Sequence, residues 1–285
     1  MNAHLPKVSI IIASFNQSET IEATLLSVFT QDYTNIETII IDGGSDTNTL
    51  NIIEKYKEHI QYFISEPDEG IYDAFNKGIR LSSGDYLFFL GTDDTLEHNI
   101  ISTIFKQKKF VYYDIIYGKV RNMQLNRIIG KNFSYQDLFQ NNIPHQAIFY
   151  HKNIFTQFGL FETQYITRAD YMLNIKWFCH PNTKIHFNNL IIANYYGNGF
   201  SYNNIDCNYW KNEKKVFIQY FSPYISSKQL KKLDARPSYK IAQQLVRTNN
   251  TRKAIPFALK ATWISKSLRP LLSIFRQIIK TKFFN

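Results

Sequence analysis

Apolar residues follow two rhythms in the first half of this chain. Residues 8–13, 36–41 and 86–90 are near-continuous apolar runs rich in isoleucine, leucine and phenylalanine. Such runs, with little polar alternation, predict strands buried on both faces. Between them the period lengthens. Ser18 opens a stretch in which Ile21, Leu25, Val28 and Phe29 recur at helical spacing. Residues 48–59 and 70–81 predict two more helices, residues 60–64 a short strand, and Gly84 closes the turn into the strand at 86. The order β-α-β-α-β-α-β predicts an α/β fold: a mostly parallel sheet with helices on both faces. Past residue 94 the pattern loosens, with helices expected at 97–108, 152–158 and 169–178 and strands at 114–120, 147–150 and 190–196. From about residue 208 the reading is helical to the end, so two parts are expected, 1–207 and 208–285.

Composition narrows the class. A chain of 285 residues with 44 % hydrophobic and 16 % aromatic content can bury one large core and carry an appendage. Cys179 and Cys207 are the only cysteines, without C-x-x-C or a Cys/His zinc spacing, so a reducing cytosol fits better than a disulfide framework. The apolar run at 8–13 is too short for a signal-peptide core or a membrane span. The net charge of +10 belongs to one end: residues 235–285 hold 11 Lys and Arg and no acid, while the rest carries 22 basic and 23 acidic residues. That asymmetry points to a local electrostatic partner of the tail.

Three acidic clusters follow predicted strands, where open α/β sheets bind ligands. After the second strand comes Asp42-Gly43-Gly44-Ser45-Asp46, in which the glycines let backbone approach a ligand. A β-to-α turn with a capping Asp explains the same residues. Glu66-Pro67-Asp68-Glu69-Gly70-Ile71-Tyr72-Asp73 places acids at and before a helix start, which the helix dipole alone could account for. Thr92-Asp93-Asp94 follows the strand at 86–90, and two carboxylates there suit a hard divalent cation with a diphosphate, or else a cap. Walker, dinucleotide and nucleophile-elbow motifs are absent, and no histidine pair has metalloprotease spacing.

VSIIIASFNQSETIEATLLSVFTQ, IIIDGGSDTNT and SEPDEGIYDAFNKGIRLSSGDYLFFLGTDD together resemble a family 2 glycosyltransferase of GT-A fold, in the branch that builds bacterial surface polysaccharides. The resemblance spans roughly residues 7–200. It implies a Rossmann-like catalytic domain and a hexosyl- or N-acetylhexosaminyltransferase that binds its donor through Ser14, Asn16, Asp42, Glu66, Asp68, Asp73, Lys77 and Asp93. It implies that Asp94, with Asp93, holds Mg²⁺ or Mn²⁺ on the diphosphate, and that Asp170 is the general base. Pro144-His145-Gln146 resembles a stretch on the acceptor side, so His145 and Gln146 are acceptor candidates. The sequence departs from the family pattern at three places. Asp46 comes one residue early, Thr92 replaces a small residue, and Arg168-Ala169-Asp170-Tyr171 lacks a second acid, which leaves an N-cap as the other reading of Asp170.

The expected activity is inverting, metal-dependent transfer from a nucleoside-diphosphate sugar, most simply a UDP-sugar, to a lipid-linked or growing surface glycan. Two alternatives stand beside it. One is an inactive homologue acting as a membrane-associated assembly partner. The other is a sugar-nucleotide nucleotidyltransferase, which would need a Gly-, Arg- and Lys-containing loop where Ser14-Phe15-Asn16-Gln17 stands. In the tail, Leu268, Leu271, Leu272, Phe275, Ile278 and Ile279 form a helical stripe with Arg269, Arg276, Lys280 and Lys282 largely off it. The pattern suits a helix lying on an anionic membrane surface, or one packed on its own protein. The expected location is cytoplasmic, peripheral on the inner face of the plasma membrane. No nucleic-acid recognition motif accompanies the basic tail.

Overall fold

The computed structural model describes residues 5–106, 112–196 and 204–283, with side chains to residue 279. One compact unit comprises Met1–Ser134, Gln140–Thr163 and Ala169–Gly197; the other comprises Tyr135–Phe139, Gln164–Arg168 and Asn198–Asn285. A single boundary at residue 207 does not express this division, because two short segments upstream group with the C-terminal helices.

The first unit starts with β1 (Val8–Ser14), α1 (Ile21–Phe29), β2 (Ile36–Asp42), α2 (Thr47–Lys55), β3 (Tyr62–Ser65), α3 (Ile71–Leu81) and β4 (Tyr86–Gly91). The four strands are parallel in the order β3-β2-β1-β4. Ile10, Ile12, Ile40 and Phe88 pack with Ile21, Leu25 and Val28 of α1. Ile11 points to the other face, where α3 comes so close that a Cβ on Gly78 would lie 2.3 Å from Ile11 Cγ2. Both faces are therefore covered, which is why these runs do not alternate. The helix expected from Ser18 begins instead at Ile21, because residues 17–20 form a turn in which Gln17 O accepts from Thr20 N and Ile21 N.

The chain continues through β5 (Asp94–Leu96), α4 (Ile100–Phe105), β6 (Ile115–Asn122), β7 (Arg127–Ile129), α5 (Tyr135–Gln140), a 3-10 turn (His145–Ala147), β8 (Ile148–His151), α6 (Asn153–Phe158), α7 (Ala169–Phe178) and β9 (Ile185–Tyr195). Among the described residues one nine-stranded sheet forms, running on from β4 as β8-β6-β9-β5, with β7 on β6. Here it is mixed: β8 runs antiparallel to β4 and β6, β9 parallel to β6, and β5 antiparallel to β9. The helix expected at 97–108 is confined to α4; its last two positions lie outside the described residues. Three-residue β5 and β7 are too short to carry a periodic signal.

The second unit holds α8 (Cys207–Phe221), α9 (Ser227–Lys231), α10 (Arg236–Arg247), α11 (Thr251–Ser265) and α12 (Arg269–Phe283). Ala242, Val246, Ala254, Ala258 and Ile274 form its core, with Leu271 and Ile278 packed against it. The expected stripe of α12 is thus divided. Leu271 and Ile278 turn inward beside Ile274, while Leu268, Leu272, Phe275 and Ile279 are exposed. Phe284 and the side chains of Lys280 and Lys282 lie outside the described residues.

Two of the polar residues in the buried strands, Ser9 and Glu37, meet at the end of the sheet where β1 and β2 begin. Glu37 is 2 % exposed and accepts from Ser9 Oγ, from Ser83 N at 2.6 Å and Oγ at 2.7 Å, and from Gly84 N at 3.0 Å. Lys7 Nζ pairs with it at 2.6 Å. Burial alone would raise its pKa, but the bonds from Lys7, Ser9 and Ser83 outweigh it and hold the carboxyl at about 2 against an ordinary 4.5. A carboxylate whose pKa is lowered on folding stabilises above its unfolded pKa and loses that contribution as pH falls through the folded one. Glu37→Gln should therefore lower stability at neutral pH by about 2–3 kcal/mol. The urea midpoint of the variant should approach wild type between about pH 4.5 and about pH 2. Equal midpoints at pH 7 would remove Glu37 from the stability argument.

Candidate active site

At the opposite end of the parallel strands, register places Ser14, Asp42 and Ser65 side by side. Asp42 is fully buried. Its Oδ2 accepts from Gly44 N at 3.1 Å, Ser45 N at 2.8 Å and Ser65 Oγ at 2.8 Å, and its Oδ1 accepts from Ser45 Oγ. Burial acts to raise its pKa, but donation from Ser45 and Ser65, with Ser14 nearby, lowers it. Asp42 thus orders the loop after β2 while remaining ionised. Ser14 is buried too, and its Oγ has no hydrogen-bond partner of ordinary geometry among the described residues. Asn16, at φ 50°, donates its N–H to Ser45 Oγ at 2.8 Å and accepts from Asp46 N at 2.8 Å. Asp46 caps α2 through Thr49 N, so its early position serves the helix.

The second acidic cluster divides in two. Asp68 accepts from Gly70 N at 2.8 Å and lies against Gly43, where an added Cβ would stand 2.9 Å from its Oδ2. Lys77 pairs with Glu66 at 2.8 Å and Asp73 at 3.4 Å. The bond to Glu66 raises the Lys77 pKa, so this cluster keeps a fixed positive charge beside its acids.

After β4 the chain turns sharply into β5. Thr24 of α1 holds the turn by donating its hydroxyl to Thr92 O at 2.9 Å and Asp94 O at 2.7 Å. Asp93 and Asp94 crowd Gly91: a Cβ there would lie 3.0 Å from Asp93 Oδ1 and 3.2 Å from Asp94 Oδ2. Asp94 is buried, and the Gln146 amide donates to its Oδ2 at 3.2 Å. Burial first, and the Asp93 charge second, push its pKa well above the ordinary range. Asp94 opens a strand, not a helix, which removes the capping explanation.

Asp170 lies in the first turn of α7 and is 6 % exposed. Its oxygens accept from Tyr72 Oη at 2.8 Å and Asn142 Nδ2 at 2.6 Å, so the carboxylate points at α3 and the segment before the 3-10 turn. His145 Nδ1 stands 3.9 Å from Asp170 Oδ2, and His145 Nε2 is buried without a hydrogen-bond partner. Burial lowers the imidazole pKa against the opposing pull of Asp170 and Asp93, so the ring is neutral at pH 7. His145 thus faces Asp170, while the next residue, Gln146, faces Asp94.

Sequence reasoning did not single out Tyr72, Asn142 or Asn174. Asn174 Nδ2 donates to Asn142 Oδ1 at 2.9 Å and Ile143 O at 3.1 Å, and its Oδ1 accepts from Tyr150 Oη at 3.1 Å and Trp177 Nε1 at 3.0 Å. One signal was available: Asn174 follows Asp170 by one helical turn inside a run that is otherwise apolar.

The carboxylate pair fits a divalent cation in part. Its donors are hard oxygens, and they converge on the space a Cβ of Gly91 would fill. Among the described residues no group of three or more His, Cys, Asp or Glu forms a metal site. Two carboxylates with ligand oxygens completing the shell is a usual arrangement for Mg²⁺ on phosphates.

Residues 9–160 match the profile described as Glycosyl transferase family 2. A PGL/p-HBAD biosynthesis glycosyltransferase of Mycobacterium tuberculosis is 32 % identical over 198 residues, covering 67 % of this chain and 77 % of the relative. The poly(ribitol-phosphate) beta-N-acetylglucosaminyltransferase TarP of Staphylococcus aureus is 31 % identical over 160 residues, 54 % of this chain and 49 % of TarP. In fold, S. aureus TarS 1–349 in complex with UDP-GlcNAc superposes with a TM-score of 0.65 at 14 % identity, covering 96 % of this chain and 88 % of that one. The α/β, GT-A architecture expected from the resemblance is the one found.

Two carboxylates crowded at Gly91, one of them buried, work against folding. Asp94 has a raised pKa, so the folded state holds a proton that the unfolded state releases, and stability falls as pH rises through the folded pKa. Asp94→Asn should raise the ligand-free melting temperature at pH 7.5 by about 2–4 °C. The gap should narrow on acidification, as the wild-type carboxyl becomes protonated. A variant less stable than wild type at pH 7.5 would overturn this account of the pair.

Proposed function

The chain belongs to glycosyl transferase family 2, and we propose that it transfers a sugar, with inversion, from a UDP-sugar to a lipid-linked or growing surface glycan. One observation carries the reading. Consecutive residues His145 and Gln146 reach Asp170 and Asp94, so an acidic group suited to a donor diphosphate and one suited to an acceptor hydroxyl serve a single site. UDP is favoured because TarS of the same fold was solved with UDP-GlcNAc. A polymeric surface acceptor is favoured by the likeness to TarP, named for poly(ribitol-phosphate). A hexosyl or N-acetylhexosaminyl group is the expected cargo.

In this scheme the donor diphosphate lies over the loops after β1, β2 and β4. Ser14, Asn16 and Asp42 shape the nucleoside end, and Asp68 and Lys77 flank it. Asp93 and Asp94 would hold Mg²⁺ or Mn²⁺, which when bound offsets the charge gathering on the departing diphosphate. Asp170 takes the proton of the acceptor hydroxyl while that oxygen attacks the anomeric carbon and the bond to the β-phosphate oxygen breaks. An ionised carboxylate offers about four acceptor positions, so the bonds from Tyr72 and Asn142 orient Asp170 and leave room for the acceptor. His145, neutral, sits beside the transfer path without adding a second positive charge.

A lipid-linked acceptor would explain the exposed face of the C-terminal unit. Trp263 is 81 % exposed, and Leu259, Leu268, Leu272, Phe275 and Ile279 are exposed as well. They belong to a segment that carries Lys and Arg and no acid after Asp234. No described helix is long and apolar enough to cross a membrane. An amphipathic surface with basic residues suits peripheral binding to an anionic bilayer, here on the cytoplasmic face.

Asp170→Asn should lower kcat by about 10²–10⁴-fold while calorimetry finds unchanged UDP-sugar affinity. Near wild-type turnover would exclude Asp170 as the base, and a product that retains the donor's anomeric configuration would exclude the single displacement. For the membrane face, the combined change Leu268→Ser, Leu272→Ser, Phe275→Ser and Ile279→Ser should abolish co-sedimentation with phosphatidylglycerol vesicles. Undiminished sedimentation would leave those residues without a membrane role.

A further inference from the structure

We propose that the C-terminal unit contains a second anion site, separate from the donor-binding loops, in which Arg168, Lys240 and Arg247 receive a phosphate group. These three line a small polar cleft of about 60 Å³ together with Gln243, Gln244 and Asp206. Lys240, Gln243, Gln244 and Arg247 follow one another at helical spacings of three, one and three on α10, so one face of a single helix offers two cations and two amides. Arg168 enters from another segment of the unit. Its guanidinium stacks over Tyr209 and Trp210 at 5.2 Å from each ring and makes no hydrogen bond or ion pair among the described residues.

The nearby acids do not balance this charge. Asp206 is 2 % exposed, and its two oxygens accept from the backbone N–H groups of Tyr209 at 2.9 Å and Thr167 at 3.0 Å. Glu213 is buried against Tyr209 Oη at 2.8 Å and Arg236 Nε at 3.4 Å. Neither pairs with Lys240, whose ammonium has no ion pair among the described residues. Burial, then the charges of Arg236, Arg168 and Arg247, lower the Lys240 pKa against the weaker pull of Glu213. Arg168 and Lys240 are thus part-buried like charges without an ion pair among the described residues, and Arg247 adds a third positive charge at the exposed rim. Planar guanidinium donors match tetrahedral oxyanions. The size and polarity of the cleft admit one phosphoryl group and exclude a nucleoside.

The test uses the full chain in thermal unfolding, with sodium phosphate against sodium chloride at matched ionic strength. Phosphate should raise the wild-type melting temperature by about 2–4 °C beyond chloride. Lys240→Met should lose that increment and melt higher than wild type in chloride, because a repelled cation has gone. Lys228→Met, on an exposed part of α9, should keep it. If Lys240→Met does not fold, Gln243→Glu supplies the missing counter-charge and should lose the increment as well. Equal shifts in phosphate and chloride, or a full increment in the Lys240 or Gln243 variant, would overturn the proposal. Phosphatidate vesicles separate the sources: binding weakened by Lys240→Met identifies a lipid phosphate, and binding unchanged while the inorganic phosphate increment is lost identifies a free one.

Discussion

Parallel register is the constraint from which the candidate site follows. Because β1, β2, β3 and β4 run the same way and are covered on both faces, every loop leaving them emerges at one edge. Ser14, Asp42 and Ser65 are register partners, so two hydroxyls flank the buried carboxylate before any loop has been built. Asp42 stays ionised there because neighbouring N–H and O–H groups replace its water. Along the same edge, Asp94 has one amide on its side chain and a second carboxylate beside it, and its pKa moves the other way. Environments that push like residues in opposite directions separate their roles. Asp42 is a structural anion that orders the loop after β2, whereas burial and the neighbouring Asp93 disfavour the charged form of Asp94.

The other half of the site depends on a different device. β8 returns antiparallel between β4 and β6, and the 3-10 turn just before it delivers His145 and Gln146 to the same region as the turn after β4. That delivery is fixed from beneath by Asn174. Its amide has two donor and two acceptor contacts: to the Asn142 side chain, to the Ile143 carbonyl, and to Tyr150 and Trp177 in the core. A buried amide with full hydrogen bonding resists displacement, because breaking any one bond leaves a desolvated polar atom. Asn142, held by Asn174, then holds Asp170 in turn. The candidate base therefore stands on a rigid chain of contacts that ends in Trp177 and Tyr150.

Much of the first half was legible because burial on both faces writes itself as uninterrupted apolar runs. The strands at 8–13, 36–41 and 86–90 needed only one residue added at the C-terminal end, and α7 matched at both ends. The mixed half of the sheet was not legible to the same degree. β9 begins at Ile185, five residues before the apolar run that announced it, because its pairing with β6 passes through bulges and its early residues include His186, Asn188 and Asn189. Within the site, the carboxylates were readable from their place after strands. Their partners were not. Tyr72 looks like any core aromatic, and Asn142 like one more residue in an Asn-rich chain, until the fold brings both to Asp170.

Charge asymmetry, visible in the sequence as an acid-free tail, gains a finer meaning from where the charges sit. Most tail cations are solvated and cost the fold little. Lys240 differs, being half-buried among arginines on a helix whose neighbours Asp206 and Glu213 are already engaged. The arrangement mirrors Asp93 and Asp94 with the signs reversed. In each case the fold gathers like charges at reduced dielectric, where their repulsion is strengthened: Lys240 lies among arginines without an ion pair among the described residues, and Asp94 lies beside a second carboxylate. Folding stability alone would favour replacing one member of each group by a neutral residue of similar shape. A group that is unfavourable on its own becomes favourable once a ligand of opposite charge binds, which makes such groups candidates for binding. By that argument the proposed readings of the carboxylate pair and the cation cluster follow one rule, each group being suited by its charge to an ion of opposite sign.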